Sequence, residues 1–154
     1  LITKWNTFHE LNTIDPQAKI LQFCHSQGAI HVRNALAQAP QEIRNRVIVV
    51  AIAPGVVVPG DLCFQAFNYA SEKDIVHYGE LVNAGFWSTS EWGTSKHQEI
   101  IFETHEQLIL LKAHPEATGI DHDFQSPTFR EIINEHIKDY LDRNGNYRQR
   151  VKLK

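Results

Sequence analysis

The stretch Arg46–Ala53 (RVIVVAIA) narrows the folds open to this chain more than any other feature. After Arg46 it contains no polar residue, and most of its side chains are β-branched. A strand with one wet face alternates apolar and polar residues, so a continuous run of strand length has to be covered on both faces. Pro54 and Gly55 end it. Such a strand belongs inside a mostly parallel sheet with helices above and below.

The flanking pattern supplies the other layers. Asn6–Ile14 carries Phe8, Leu11 and Ile14 at helical spacing, and Lys19–Cys24 is a short apolar run that reads as a strand. Gln27–Ala39 places Ile30, Ala35, Leu36 and Ala39 near one face, and Pro40 stops that helix. Asp61–Ala70 is the next expected strand, followed by a short helix over Ile75–Val82. Asn83–Lys96, with Trp87 and Trp92, reads as an irregular surface excursion. Gln98–Glu103 and Leu108–Ala113 are expected to form a hairpin around Thr104–Gln107, and Pro115–Gln125 a loop. Ser126 as N-cap and Pro127 at the first helical position open a long helix to about Asp142, closed by Gly145. The expected fold is a single α/β domain, a three-layer sandwich in which Ile20–Cys24, Val47–Ala53 and Leu62–Asn68 are neighbouring strands.

Composition excludes several classes. In 154 residues, 42% are hydrophobic and 21% charged, with a net charge of −3, as in ordinary globular domains. The one basic cluster, Arg148–Lys154, reads as a solvated chain end, and no nucleic-acid partner is expected. No segment approaches the roughly 20 apolar residues that span a bilayer. Leu1–Glu10 lacks the apolar core of a signal peptide, and the compartment stays open. Cys24 and Cys63 are expected to be buried free thiols, since two cysteines do not make a disulfide framework.

The most chemically informative stretch is Phe23-Cys24-His25-Ser26-Gln27-Gly28. It joins the end of an expected strand to the start of an expected helix. A serine on such a sharp turn projects its hydroxyl above the sheet, and the helix N-terminus behind it favours a developing oxyanion. Cys24-His25-Ser26-Gln27-Gly28 resembles the G-x-S-x-G elbow of the α/β-hydrolases, with Cys24 standing in for the first glycine. The resemblance covers about Lys19–Leu141. Phe23–Leu36, Val49–Gly55 and Asp121–Thr128 are also similar to an uncharacterised hydrolase-like family of obligate intracellular bacteria, which implies the fold and the triad but no known substrate.

The hydrolase resemblance implies a serine hydrolase with the order serine, acid, histidine along the chain. Ser26 is then the nucleophile. Asp74, in the loop after the third strand, is the acid, with Glu72 as competitor. His122, in the loop before the last helix, is the base, with His105 and His114 as alternatives. The Gln27 N–H is one oxyanion donor. The second comes, in such enzymes, from a loop after an earlier strand. Only about two dozen residues precede Ser26 here, so the early N-terminal strands are expected to be missing. The chain begins at Leu1 rather than Met, and an upstream segment or a second copy is expected to cover the sheet edge. The implied substrate is a small-molecule or lipid acyl compound, and no cofactor is implied.

Two other readings compete. Nine histidines, with His114 near Asp121-His122-Asp123, raise the question of a metal, but the spacings match no zinc pattern and no metal is expected. The missing first glycine and missing oxyanion strand instead fit a catalytically inactive interaction or scaffold protein on a hydrolase fold.

Overall fold

The computed structural model describes residues 1–75, 100–103, 108–117 and 119–150. At its centre lies β2 (Val47–Pro54), all eight residues of which are buried. Val47, Val49 and Ala51 face one apolar core; Ile48, Val50 and Ile52 face another. This two-residue alternation between two dry faces is why the run reads as continuously apolar.

Strands β1 (Ile20–Ser26) and β3 (Gln65–Ser71) pair with β2 in parallel, with Ile20 opposite Val47 and Ile48 opposite Gln65. β5 (Leu108–Leu111) adds to β3 in parallel, and β4 (Ile100–Glu103) pairs antiparallel with β5. The order is β1-β2-β3-β5-β4, four parallel strands and one antiparallel edge strand. The chain is therefore an α/β protein. The expected hairpin forms, while its turn at 104–107, the expected helix over Ile75–Val82 beyond its first residue and the excursion Asn83–Lys96 lie outside the described residues.

Helices cover both faces. Residues of α1 (Ile2–Leu11), α2 (Gly28–Gln38) and the short α3 (Gln41–Arg44) pack into the first core. Phe129 and Ile132 of α4 (Pro127–Asp142) pack into the second. Ser126 caps α4 as expected, its side chain accepting the Thr128 N–H, with Pro127 in the first turn.

Four local expectations need correction. α1 begins at Ile2 and ends at Leu11, before Ile14. Leu11 and Ile14 are 77% and 96% exposed, while Trp5 is buried and its indole N–H donates to Gln22 Oε1 at 3.3 Å. One tryptophan offers more apolar area than any other side chain, and its burial outweighs the three-residue spacing that pointed to Phe8, Leu11 and Ile14. In α2 the buried side chains are Ala29, Val32 and Leu36, and Ile30 is exposed. A Cβ on Gly28 would lie 3.7 Å from Cys24 Cβ, so the first turn rides close on β1 with small residues inward. β3 starts at Gln65, not near Asp61 or Leu62. The Leu62 N–H turns back to Pro59 O, and the Phe64 N–H reaches Arg44 O and Val47 O. Cys63 is therefore buried in a turn rather than a strand. Finally, α3 follows Pro40 directly and was not expected. Both cysteines are free, and burial pushes each thiol up to about 12, which makes them inert core residues.

Arg46, itself buried, ties α1 to the sheet. Its guanidinium donates to His9 Nδ1 and to the carbonyls of Asn12, Asp15 and Ala18. Asn12 O and Asp15 O also accept the Asp15 and Ala18 N–H groups, so the guanidinium braces the turns that lead from α1 into β1.

β1 is an edge strand. Its entry is covered: the Lys19 N–H donates to Gly145 O and the Tyr140 hydroxyl donates to Lys19 O, both at 2.8 Å. Further along, strand alternation turns the Leu21 and Phe23 N–H groups away from β2, and no described residue accepts them. Such an edge invites pairing with another strand.

Behind β3, His136 Nε2 lies 2.9 Å from the Tyr69 hydroxyl. Burial lowers the imidazole from 6.5 to about 4. The unfolded chain therefore takes up this proton before the native one does. Its stabilising contribution is complete above about 6.5 and is lost as pH falls toward about 4. The loss amounts to about 3 kcal/mol at most. Urea unfolding at several pH values across that window should show a shallower pH dependence for His136→Phe than for the unaltered chain; parallel curves would refute the assignment.

Candidate functional site

β1 does not end as a plain strand. The register slips between His25 and Ser26, so that Ser26 pairs with Pro54, and Ser26 takes φ = +49°. A serine in the left-handed region is strained by about 1–2 kcal/mol. The surrounding backbone holds it there. The Gly55 N–H donates to Ser26 O at 2.9 Å. A Cβ on Gly55 would stand 3.3 Å from Ser26 O and 3.6 Å from Gln27 N, so a bare glycine lets the exit of β2 lie against the turn. α2 starts two residues later. Gln27 is exposed, and its N–H has no acceptor among the described residues.

Asp74 follows β3 through a tight turn in which its N–H donates to Ser71 O. Its side chain is wholly buried, and Oδ2 lies 2.8 Å from His122 Nδ1. His122 comes from the loop before α4. Its other ring nitrogen, Nε2, lies 2.8 Å from Ser26 Oγ, and its side chain is 23% exposed. A carboxylate only accepts, so Nδ1–H donates to Asp74, and Nε2 is left to accept from the Ser26 hydroxyl. The three residues lie 96 and 48 positions apart in sequence, yet form one continuous chain of hydrogen bonds at the C-terminal ends of β1 and β3.

The alternatives are placed elsewhere. Glu72 accepts the Ala113 N–H through Oε1. His114 is exposed, its Nδ1 accepts the Glu116 N–H, and its own N–H donates to Thr128 Oγ1. His105 lies outside the described residues. Among the described residues no group of three or more histidine, cysteine, aspartate or glutamate side chains is arranged to hold a metal ion.

The contacts of three further residues at the site were not foreseen from the sequence. His25 sits beside Ser26, and its Nε2–H donates to His122 O at 2.6 Å; the two imidazole rings are 5.1 Å apart and tilted by 49°. Phe124 meets the His25 ring edge-on at 6.0 Å. Asp121 is buried and accepts from the hydroxyls of Ser71, Ser126 and Thr128. A usable signal for Asp121 was present in Ser126 and Thr128, two hydroxyl residues close behind it, but nothing pointed to Ser71.

An imidazole oriented by a carboxylate at one nitrogen and hydrogen-bonded to a hydroxyl at the other can take the hydroxyl proton as that oxygen attacks an electrophile. Set against known protein families, curated proteins and solved structures, the chain has no match.

Proposed function

We propose that the chain is a serine hydrolase of the α/β-hydrolase kind, and that it transfers an acyl group from an ester, thioester or amide to water. The observation that carries this is the unbroken line Ser26 Oγ, His122 Nε2, His122 Nδ1, Asp74 Oδ2, with 2.8 Å at each junction between residues. The strained backbone at Ser26, between strand and helix, supports it. Strain of this kind persists where the surroundings over-determine it, often at reactive residues.

His122 takes the Ser26 proton while Oγ bonds to the substrate carbonyl carbon. The carbonyl oxygen becomes an oxyanion, which the Gln27 N–H at the start of α2, without an acceptor among the described residues, is suited to meet. His122 then delivers the proton to the leaving alcohol, thiol or amine, and the acyl group stays on Ser26. Water, deprotonated by His122, releases the acid and restores the serine. Asp74 keeps the imidazole in the needed tautomer and offsets its charge. A second oxyanion donor would come from a strand pairing along the open edge of β1. A second copy of the chain is one source of such a strand. The acyl substrate is a small molecule or a lipid.

Incubation of the full-length protein with a fluorophosphonate probe, followed by peptide mass spectrometry, tests the reading. The expected adduct is on Ser26 and absent from Ser26→Ala. Labelling at another residue refutes this nucleophile. No labelling of the folded protein leaves the interaction or scaffold reading, which the replacement of the first elbow glycine by Cys24 favours.

A further inference from the structure

We propose that Asp121 is a positioning residue that locks the His122 loop to the Asp74 loop, a role that rests on the proposed triad. Its carboxylate is 2% exposed and meets three hydroxyl groups. Each hydroxyl also accepts a backbone N–H. Ser71 Oγ takes that of Lys73 at 3.3 Å and donates to Asp121 Oδ2 at 2.7 Å. Ser126 Oγ takes that of Thr128 at 3.2 Å and donates to Oδ1. Thr128 Oγ1 takes that of His114 at 2.9 Å and donates to Oδ2.

The direction of every bond is therefore set. Each N–H takes one lone pair of its hydroxyl, and the carboxylate can only accept, so each hydroxyl proton must point at Asp121. Three relays converge, each running from a backbone N–H through a hydroxyl to the carboxylate. Chains of this kind polarise one another and strengthen in a buried setting. The start of α4 adds its positive end, since Ser126 and Thr128 are its cap and first-turn residues.

What the relays connect gives the hub its meaning. The Lys73 N–H belongs to the turn that presents Asp74. The His114 N–H lies just past the end of β5. The Thr128 N–H opens α4. Asp121 precedes His122 by one residue, so the loop carrying His122 is fixed to all three elements from within. His25 holds the same loop from the nucleophile side by donating to His122 O. Loss of the hub should let the imidazole drift from Asp74 and Ser26, and a displacement near 1 Å in a reacting constellation costs on the order of 10²-fold in rate.

Asp121→Asn keeps the shape of the side chain but replaces one acceptor oxygen by a donor that the inward-pointing hydroxyl must turn away from. Two readouts separate positioning from general stability. One is the low-field proton resonance of the His122 Nδ1–H bonded to Asp74. The other is the rate of fluorophosphonate labelling at Ser26. Both are read at a temperature where unfolding measurements show the variant fully native. The expected result is a lost or displaced resonance together with labelling slowed about 10²-fold. A wild-type resonance in folded Asp121→Asn overturns the inference, as does labelling within about twofold of the unaltered protein. If Asp121→Asn does not fold, Ser71→Ala, which cuts only the arm to the acid loop, is judged by the same two readouts and the same criteria. The outcomes also separate the two proposals. If the unaltered protein shows no labelling, acyl transfer fails, while the resonance still decides whether Asp121 holds His122 against Asp74.

Discussion

Asp74→Asn is expected to lower kcat/KM for an activated ester by about 10⁴-fold, with KM little changed and the fold intact. Asparagine has the size of the wholly buried aspartate, so packing around it survives. Its amide, however, can donate to His122 Nδ1. That interaction favours the tautomer with the proton on Nε2, the nitrogen 2.8 Å from Ser26 Oγ, and the serine proton then has no acceptor. His122→Ala should be at least as damaging, because no general base remains. Steady-state kinetics on a p-nitrophenyl ester measures both. Because the proposed base and acid act as one unit, the double variant should be no worse than His122→Ala by more than a small factor. Additive losses, or an Asp74→Asn enzyme within about tenfold of the unaltered one, would argue that the hydrogen-bonded line is structural.

Phe129→Ala is expected to cost about 3–5 kcal/mol of folding stability. Phe129 is completely buried and, with Ile132, seals α4 onto the face of the sheet formed by Ile48, Val50, Ile52 and Phe67. Small domains have total stabilities of about 5–15 kcal/mol, so this single truncation removes a large share. Ile137→Ala is the control on the same helix: Ile137 is 40% exposed, and its loss should cost about 1 kcal/mol or less. Urea unfolding of both variants checks the pair. Equal, small effects would mean that α4 is held by something other than its buried face. The consequence extends to the site, because Ser126 and Thr128, whose hydroxyls point at Asp121, lie three residues and one residue before Phe129.

Much of the architecture was legible for a physical reason. A run such as Arg46–Ala53 admits few environments, and the structure buries β2 on both faces between parallel neighbours. Ser126-Pro127 marked the start of α4 because capping is a local interaction, complete within a few residues. The turn at Ser26 was legible for the same reason, since strand, serine and Gly28 are contiguous. The errors fall where long-range packing overrides local pattern. Trp5 rather than Leu11 and Ile14 turns inward, Ile30 lies on the exposed face of α2, and β3 starts only after the turn that buries Cys63.

By itself the sequence determined the element types that periodicity and capping encode, and it named Ser26, Asp74 and His122 through a resemblance in order along the chain. Only the tertiary structure decided that these three side chains meet, because separations of 96 and 48 positions say nothing about distance. It also decided the roles of His25 and Asp121. A histidine beside a serine and an aspartate in a polar loop look like solvated residues until their partners are known. Those partners, His122 O for one and the hydroxyls of Ser71, Ser126 and Thr128 for the other, lie on elements that only the packing of sheet against helix brings within hydrogen-bond reach.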